Sequence, residues 1–115
     1  MHELSITKAL VTKIIRECKE KKIKKPKKIM LELGMLTNYK KEPIVFYYGI
    51  MKKEETLLKE TELQFKEIKG KIRCNECKKI NLVNEPILVY CKECKSGNVK
   101  IIQGRNFIIK KIIEG

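Results

Sequence analysis

Two Cys-x-x-Cys pairs constrain this chain more than any other feature. The first pair is Cys74 and Cys77, the second is Cys91 and Cys94, and thirteen residues separate them. Each pair can form a tight turn that directs two sulfur atoms at one point, so two such turns can complete a tetrahedral cage of four sulfurs, the closed geometry of a structural zinc site. Such a cage leaves no position for water, and we expect it to hold a metal without catalysing a reaction. A redox dithiol and an iron site are the alternatives.

The expected compartment favours a metal over disulfides for these cysteines. The opening residues, Met1-His2-Glu3, do not form the basic start of a signal peptide, and no apolar run approaches the roughly 18 residues that span a bilayer. We therefore expect a cytoplasmic protein with no membrane association. Thiols stay reduced in the cytoplasm, where paired cysteines bind metal more often than they form disulfides.

The charge of the chain leaves its type of partner open. The formal net charge is +13, which suits nucleic acid or an acidic protein. Only three of the 27 basic residues are arginines, however, and a lysine-rich surface is also typical of hyperthermophiles. A zinc-ribbon module that binds nucleic acid remains the alternative function. It would need aromatic or arginine contacts around the ribbon, where only Tyr90 and Arg73 qualify, so nucleic acid is the weaker interpretation.

Apolar residues at helical spacing predict two helices. The first extends from Leu4 to Lys22, and Cys18 lies on its apolar stripe, where we expect it to be buried. The second begins at Pro43 and extends to about Lys53. We expect it to be mostly buried, with the aromatic residues 46–48 packed in the core rather than stacked on bases.

Alternating apolar residues predict three strands, Ile29–Leu33, Thr61–Ile68 and Arg105–Glu114. The cysteine segment, residues 70–98, interrupts the sheet between the second and third strands and contains a short hairpin-like stretch at 81–90. It is too small to bury a core of its own, so it needs a metal to stabilise it. The predicted fold class is α+β, a small three-stranded sheet with two helices plus an inserted zinc-ribbon-like module.

The amino terminus carries a second candidate metal site. The only histidine is residue 2, and a Met-His terminus is expected to keep its methionine. The amine of Met1, the amide and imidazole of His2 and the amide of Glu3 can then present four nitrogens in one plane, as Ni(II) and Cu(II) prefer. An ordinary exposed histidine is the competing interpretation, and Glu3 also interacts favourably with the helix dipole.

The opening Met1-His2-Glu3-Leu4-Ser5-Ile6, together with the double Cys-x-x-Cys, resembles the HypA family, the hydrogenase maturation and nickel-incorporation accessory proteins. The resemblance covers essentially the whole chain. It implies a nickel metallochaperone rather than an enzyme. It places transferred Ni(II) at His2, with Met1 and Glu3 nearby, and structural Zn(II) at Cys74, Cys77, Cys91 and Cys94.

The resemblance also implies partners and a division into domains. The expected partners are a HypB-like GTPase and the large subunit of [NiFe] hydrogenase. Residues 1–69 and 99–115 would form the nickel-binding α+β domain, and residues 70–98 the zinc-binding insertion. An insertion between two strands would permit subunit swapping, so the sequence leaves a homodimer open.

Overall fold

The computed structural model describes residues 2–83 and 89–115, and the backbone alone of His2. Its elements are, in order, α1 (His2–Glu20), β1 (Pro26–Gly34), α2 (Lys41–Met51), two short 3-10 turns (Lys52–Glu54 and Thr56–Leu58), β2 (Glu62–Ile68), β3 (Gly70–Cys74), β4 (Ile80–Val83), β5 (Val99–Gln103) and β6 (Phe107–Glu114). The strands form two three-stranded sheets, in the orders β2-β1-β6 and β4-β3-β5. The predicted α+β class is confirmed.

The first of two compact units comprises Met1–Leu31, Tyr39–Phe65 and Ile109–Gly115. In it α1 packs against α2. Its core is formed by apolar side chains that the helical and alternating patterns bring to one side of each element, namely Leu10, Val11, Ile14, Cys18, Ile29, Leu31, Ile44, Tyr48 and Leu58. The predicted burial of Cys18 is confirmed, because its side chain has no exposed surface.

The prediction that α2 is mostly buried is wrong. Ile44 and Tyr48 are buried, but Val45, Phe46 and Ile50 are exposed, and Phe46 keeps 63% of its surface in contact with solvent. Ile44 and Tyr48 lie four residues apart, so they share one face of the helix. A helix that packs along one stripe leaves its remaining faces exposed, however apolar their residues are.

A buried hydrogen-bond chain connects α2 to β1. Tyr48 Oη donates to the carbonyl of Thr61 at 2.8 Å, and Thr61 Oγ1 donates to the carbonyl of Pro26 at 2.6 Å. Pro26 is the first residue of β1, a position where the missing amide of a proline costs no sheet hydrogen bond.

The second compact unit comprises Glu32–Asn38 and Lys66–Ile108. In it β3 pairs antiparallel with β4 on one side and with β5 on the other. The strands β3 and β5 were not predicted. Of the expected hairpin-like stretch at 81–90, residues 84–88 lie outside the described part of the chain. The predicted boundaries of the insertion, 70–98, stay a prediction.

Three glycines meet where the segments of this second unit converge. A Cβ added to Gly34 would lie 2.2 Å from the carbonyl oxygen of Gly104, and one added to Gly104 would lie 2.7 Å from the Cα of Gly70. Gly104 also has a φ of +99°, which side chains disfavour. The amide of Leu36 donates to the carbonyl of Gly104 at 2.8 Å. This hydrogen bond holds the chain after β1 against the turn between β5 and β6.

In the described residues, none of the helices is both long and apolar enough to cross a membrane.

Candidate metal centre

The two cysteine pairs fold into two turns with the same backbone hydrogen bonds. We call residues 74–78 the first knuckle and residues 91–95 the second knuckle. In each, the amide of the first cysteine donates to a carbonyl five residues later, at 2.9 Å in both cases. The amide of the residue after the second cysteine donates back to the carbonyl of the first, from Lys78 at 3.0 Å and from Lys95 at 2.9 Å. The shared pattern follows from the shared Cys-x-x-Cys-Lys sequence.

The last residue of each knuckle adopts the left-handed backbone conformation although it is not glycine. Lys78 and Lys95 each have a φ of 67°. For a residue with a Cβ this conformation costs on the order of 1–2 kcal/mol. The backbone hydrogen bonds of the knuckles maintain it, and it lets the chain reverse direction directly after the second cysteine of each pair.

The knuckles bring the four sulfurs together. Cys74 Sγ lies 3.5 Å from Cys94 Sγ, Cys77 Sγ lies 3.6 Å from Cys91 Sγ, and all four sulfurs lie within 4.8 Å of one another. A tetrahedral zinc site with Zn–S bonds of about 2.3 Å needs sulfurs about 3.8 Å apart. Cys74 and Cys91 are fully buried, whereas Cys94 is exposed. Among the described residues this is the one group of three or more His, Cys, Asp or Glu that could hold a metal ion.

Backbone amides lower the pKa of the first cysteine in each knuckle. The amides of Glu76 and Cys77 donate to Cys74 Sγ at 3.3 and 3.4 Å, and the Cys77 amide is the largest cause that holds the pKa of Cys74 below its ordinary value. The amide of Cys94 acts in the same way on Cys91 and lowers its pKa to about 6. Both cysteines are thus prepared to act as thiolate ligands.

The second cysteine in each knuckle has a raised pKa. The amide of Ser96 lowers the pKa of Cys94, but the hydrogen bond with Cys74 and burial outweigh it and raise the pKa to about 12. The amide of Lys79 likewise lowers the pKa of Cys77, but burial and the hydrogen bonds with Cys91 and Cys74 raise it overall. Four sulfurs this close resist carrying four negative charges unless a cation lies between them. The cluster therefore has the chemistry of a dication site whose loading releases protons.

One residue of the site was missed by the sequence analysis. Asn81 is only 9% exposed, its Nδ2 donates to Cys91 Sγ at 3.5 Å, and its Oδ1 accepts from the amide of Lys92 at 3.1 Å. Asn81 thereby joins β4 to the second knuckle. The available signal was a polar residue at an inward position of a short apolar strand between the two cysteine pairs.

The residues predicted to bind nickel lie at the start of α1. The helix begins at His2, and Met1 lies outside the described residues. The carboxylate of Glu3 accepts from the backbone amide of Lys40 at 3.3 Å, and its carbonyl accepts from the hydroxyl of Thr7. Glu3 therefore has structural contacts at both its side chain and its carbonyl.

The four cysteines supply every ligand of a tetrahedral site, and such a closed set retains a metal instead of presenting it to a substrate. The amino terminus has a different donor chemistry. There the candidate donors are nitrogens, which suit nickel better than a four-sulfur cage built for zinc. The chain thus carries two separate candidate metal sites with different chemical roles.

The chain is similar to known proteins along nearly its whole length. Residues 1–113 match the family model described as "Hydrogenase/urease nickel incorporation, metallochaperone, hypA". The chain is 32% identical over 113 residues to the hydrogenase maturation factor HypA of Caldanaerobacter subterraneus subsp. tengcongensis, covering 97% of each chain. It is 34% identical over 120 residues to the protein of the same name from Methanocaldococcus jannaschii, covering 96% of this chain and 94% of the relative.

Solved structures share the fold. The solution structure of the Ni metallochaperone HypA from Helicobacter pylori superposes with a TM-score of 0.72 at 20% identity, covering 97% of this chain and 96% of that one. A second HypA solution structure gives a TM-score of 0.71 at 22% identity. The family is described as one of metallochaperones, not of enzymes. Because the family model matches residues 1–113 and the relatives are similar over nearly their full length, the chain belongs to the HypA family of nickel-incorporation metallochaperones.

Proposed function

We propose that this chain binds Ni(II) at its amino terminus and delivers it to the large subunit of a [NiFe] hydrogenase, with a HypB-like GTPase as partner. The nickel ligands are His2, the amine of Met1 and the amide of Glu3. The family description supports nickel incorporation into a hydrogenase or a urease. The name shared by the relatives, hydrogenase maturation factor, favours the hydrogenase.

The start of α1 at His2 is the observation that carries the nickel site. The first four amides of a helix have no acceptor within the helix. The amides of His2 and Glu3 are among these four, so they can lose their protons to a metal without breaking a hydrogen bond of α1. A planar set of nitrogens at this position is compatible with the helix.

The contacts of Glu3 support its amide, and not its carboxylate, as the ligand. The carboxylate accepts from the amide of Lys40, directly before α2 begins, and Lys40 offers no side-chain cap to that helix. Glu3 thus joins the start of α1 to the start of α2. Its side chain is a positioning group that holds the nickel ligands in place.

Structural zinc in the four-cysteine cluster completes the proposal. The sulfur distances, the lowered pKa of Cys74 and Cys91 and the closed donor set all suit Zn(II). The metal would hold the two knuckles together and stabilise the insertion at 70–98. Zinc would therefore be retained while nickel is transferred.

Proton release gives the nickel site a route to unloading. An amine, two amides and an imidazole must all be deprotonated to bind, so nickel affinity falls as the pH falls. A site that depends on several deprotonations can hold nickel firmly at neutral pH and still give it up to a better ligand set. Delivery in the cytoplasm stays a prediction.

Calorimetry of nickel binding to His2→Ala tests the proposal. We expect the variant to lose nickel binding while it keeps one zinc per chain, because the two sites share no ligand. Glu3→Gln is the matched control, since it keeps the backbone amide and a side-chain oxygen that can accept from Lys40, and it should bind nickel. Unchanged nickel affinity in His2→Ala would overturn the site.

The zinc cage has its own test. Cys74→Ser should lower the zinc content measured by atomic absorption and disorder the insertion, because it removes a buried ligand. A preparation of this variant that still holds one zinc per chain would contradict the cage. Binding of the GTPase partner to wild-type and Cys74→Ser protein would then show whether the insertion takes part in docking.

A further inference from the structure

The second sheet has an outer face that combines exposed apolar and basic side chains. We call it the ribbon face and define it by Lys71, Arg73, Ile80, Leu82 and Lys100. The pairing places Arg73 opposite both Ile80 and Lys100, and Lys71 opposite Leu82, so these side chains point to the same side. The alternate residues Ile72 and Asn81 are buried on the other side.

The apolar part of the ribbon face lies along its edge strand. Ile80 keeps 61% and Leu82 49% of its surface exposed. The two residues are adjacent on one side of β4, so they form a stripe rather than isolated contacts with water. Removal of exposed aliphatic surface from water is favourable, so a partner that covers both side chains gains binding energy.

The rest of the ribbon face is positively charged, and no acidic side chain among the described residues forms an ion pair with it. The strands β3, β4 and β5 contain no aspartate or glutamate. In the part of the chain that the structure describes, Lys71, Arg73 and Lys100 form no ion pair. Arg73 and Lys100 lie directly opposite each other, an arrangement of like charges that destabilises a sheet. Carboxylates from a partner would relieve this repulsion.

We propose that the ribbon face docks an acidic, amphipathic segment of a partner protein. Apolar side chains of the segment would cover Ile80 and Leu82, and its carboxylates would pair with Lys71, Arg73 and Lys100. The proposal does not depend on the nickel site. It assigns the β4-β3-β5 sheet a role in recognition in addition to its role of holding the cysteine cluster.

Two other occupants fit this face less well. Single-stranded nucleic acid is bound by stacking on aromatic rings, and none of the residues of β3, β4 and β5 is aromatic. Ile80 and Leu82 offer no stacking surface. A second copy of the chain would bring the same three cations against Lys71, Arg73 and Lys100, so it would be repelled.

Fluorescence anisotropy of a short labelled peptide of alternating Glu and Leu, titrated with the zinc-loaded full chain, tests the proposal. We expect Arg73→Glu and Leu82→Ser each to weaken binding about tenfold, which corresponds to about 1.4 kcal/mol. Poly-glutamate should bind more weakly than the peptide, because it cannot cover the apolar stripe. The effect of Arg73→Glu should shrink at high salt.

Matched controls lie in the first compact unit. Lys8→Glu reverses an exposed charge on α1, and Val45→Ser removes an exposed aliphatic side chain from α2, so both should leave peptide affinity unchanged. Zinc content verifies that each variant is folded around its metal, and Lys100→Glu provides a second charge reversal should Arg73→Glu lose zinc.

Four results would overturn the proposal. The wild-type chain could fail to bind the peptide, or the ribbon-face variants could bind it as well as the wild type. A single-stranded oligonucleotide could bind more tightly than the peptide and be lost in Arg73→Glu, which would make the face a nucleic-acid surface. Sedimentation could show a dimer that Leu82→Ser dissociates, which would make a second copy the occupant.

Discussion

Asn81→Ala is the most informative perturbation of the four-cysteine cluster, because it changes no proposed zinc ligand. In the wild type, Nδ2 of Asn81 donates to Cys91 Sγ at 3.5 Å and Oδ1 accepts from the amide of Lys92 at 3.1 Å. The alanine variant loses both contacts at a position that is 9% exposed, so water cannot fully replace them. We expect zinc affinity to fall while the four sulfurs remain.

The magnitude follows from the kind of bond that is lost. A hydrogen bond to a charged acceptor such as a thiolate contributes about 1.5–3 kcal/mol, and a neutral one such as that from the Lys92 amide contributes about 0.5–1.5 kcal/mol. The first acts on the ligand itself and the second mainly on the position of the second knuckle. We therefore expect zinc affinity to fall about tenfold to a hundredfold, as is usual for groups that contact a metal ligand.

Competition for zinc against a chromogenic chelator at fixed pH measures this loss. Asn75→Ala is the matched control, because Asn75 lies in the first knuckle but is exposed, and its side chain donates to Asn98 Oδ1 and to no sulfur. Asn81→Asp separates the two contacts. It keeps an oxygen that can accept from the Lys92 amide, but it replaces the donor to Cys91 by a carboxylate oxygen. It should therefore lose at least as much zinc affinity as the alanine variant. Equal zinc affinity of Asn81→Ala and Asn75→Ala would show that the side chain of Asn81 does not support Cys91 as a ligand.

Two further predictions concern stability. Gly34→Ala places a Cβ 2.2 Å from the carbonyl oxygen of Gly104, so the backbone must move, and urea unfolding should show a free energy of unfolding lower by about 3 kcal/mol. Gly49→Ala is the control, because nothing lies within 4 Å of its added Cβ, and its free energy of unfolding should rise by up to about 1 kcal/mol. Equal effects of the two substitutions would contradict the close contact at Gly34. Burial, and to a smaller extent the nearby Cys18, raises the pKa of Tyr48 from the ordinary value of 10.0 to about 12. Because the unfolded chain then loses this proton at a lower pH than the folded one, the free energy of unfolding should fall by about 2–3 kcal/mol as the pH rises from about 10 to 12. Tyr48→Phe should be about 1 kcal/mol less stable at neutral pH, because it removes the hydrogen bond to the Thr61 carbonyl, and it should lack this part of the alkaline loss. Parallel alkaline decreases in the two proteins would show that Tyr48 is not its source.

The local patterns predicted the two helices and the three strands of the β2-β1-β6 sheet, and the ends of these elements less well. The apolar periodicity of α1 and the position of Cys18 on its buried stripe agree with the structure, because a helix relates residues only three or four positions apart. For α2 the same periodicity failed to predict exposure. Its residues are apolar on several faces, and only the elements that pack against it determine which face is buried.

The residues that the sequence analysis missed share one physical property. Asn81, Gly34 and Gly104 each act through a contact with a segment distant in the chain: Asn81 with the second knuckle, and the two glycines with each other across seventy residues. No pattern of neighbouring residues encodes such a contact. The strands β3 and β5 were missed for the same reason, since their pairing with each other defines them.

By itself the sequence determined the set of four cysteines in two Cys-x-x-Cys pairs, which is the donor set of a sulfur cage, because that pattern depends only on residue type and on spacing within a few positions. The nitrogen donors at the opening Met-His-Glu stay a prediction from the same kind of local pattern. Only the tertiary structure decided that the sulfurs meet within 4.8 Å, that Asn81 supports Cys91, and that Ile80 and Leu82 are exposed beside Arg73. These properties arise from the register of β3, β4 and β5, in which segments distant along the chain become neighbours.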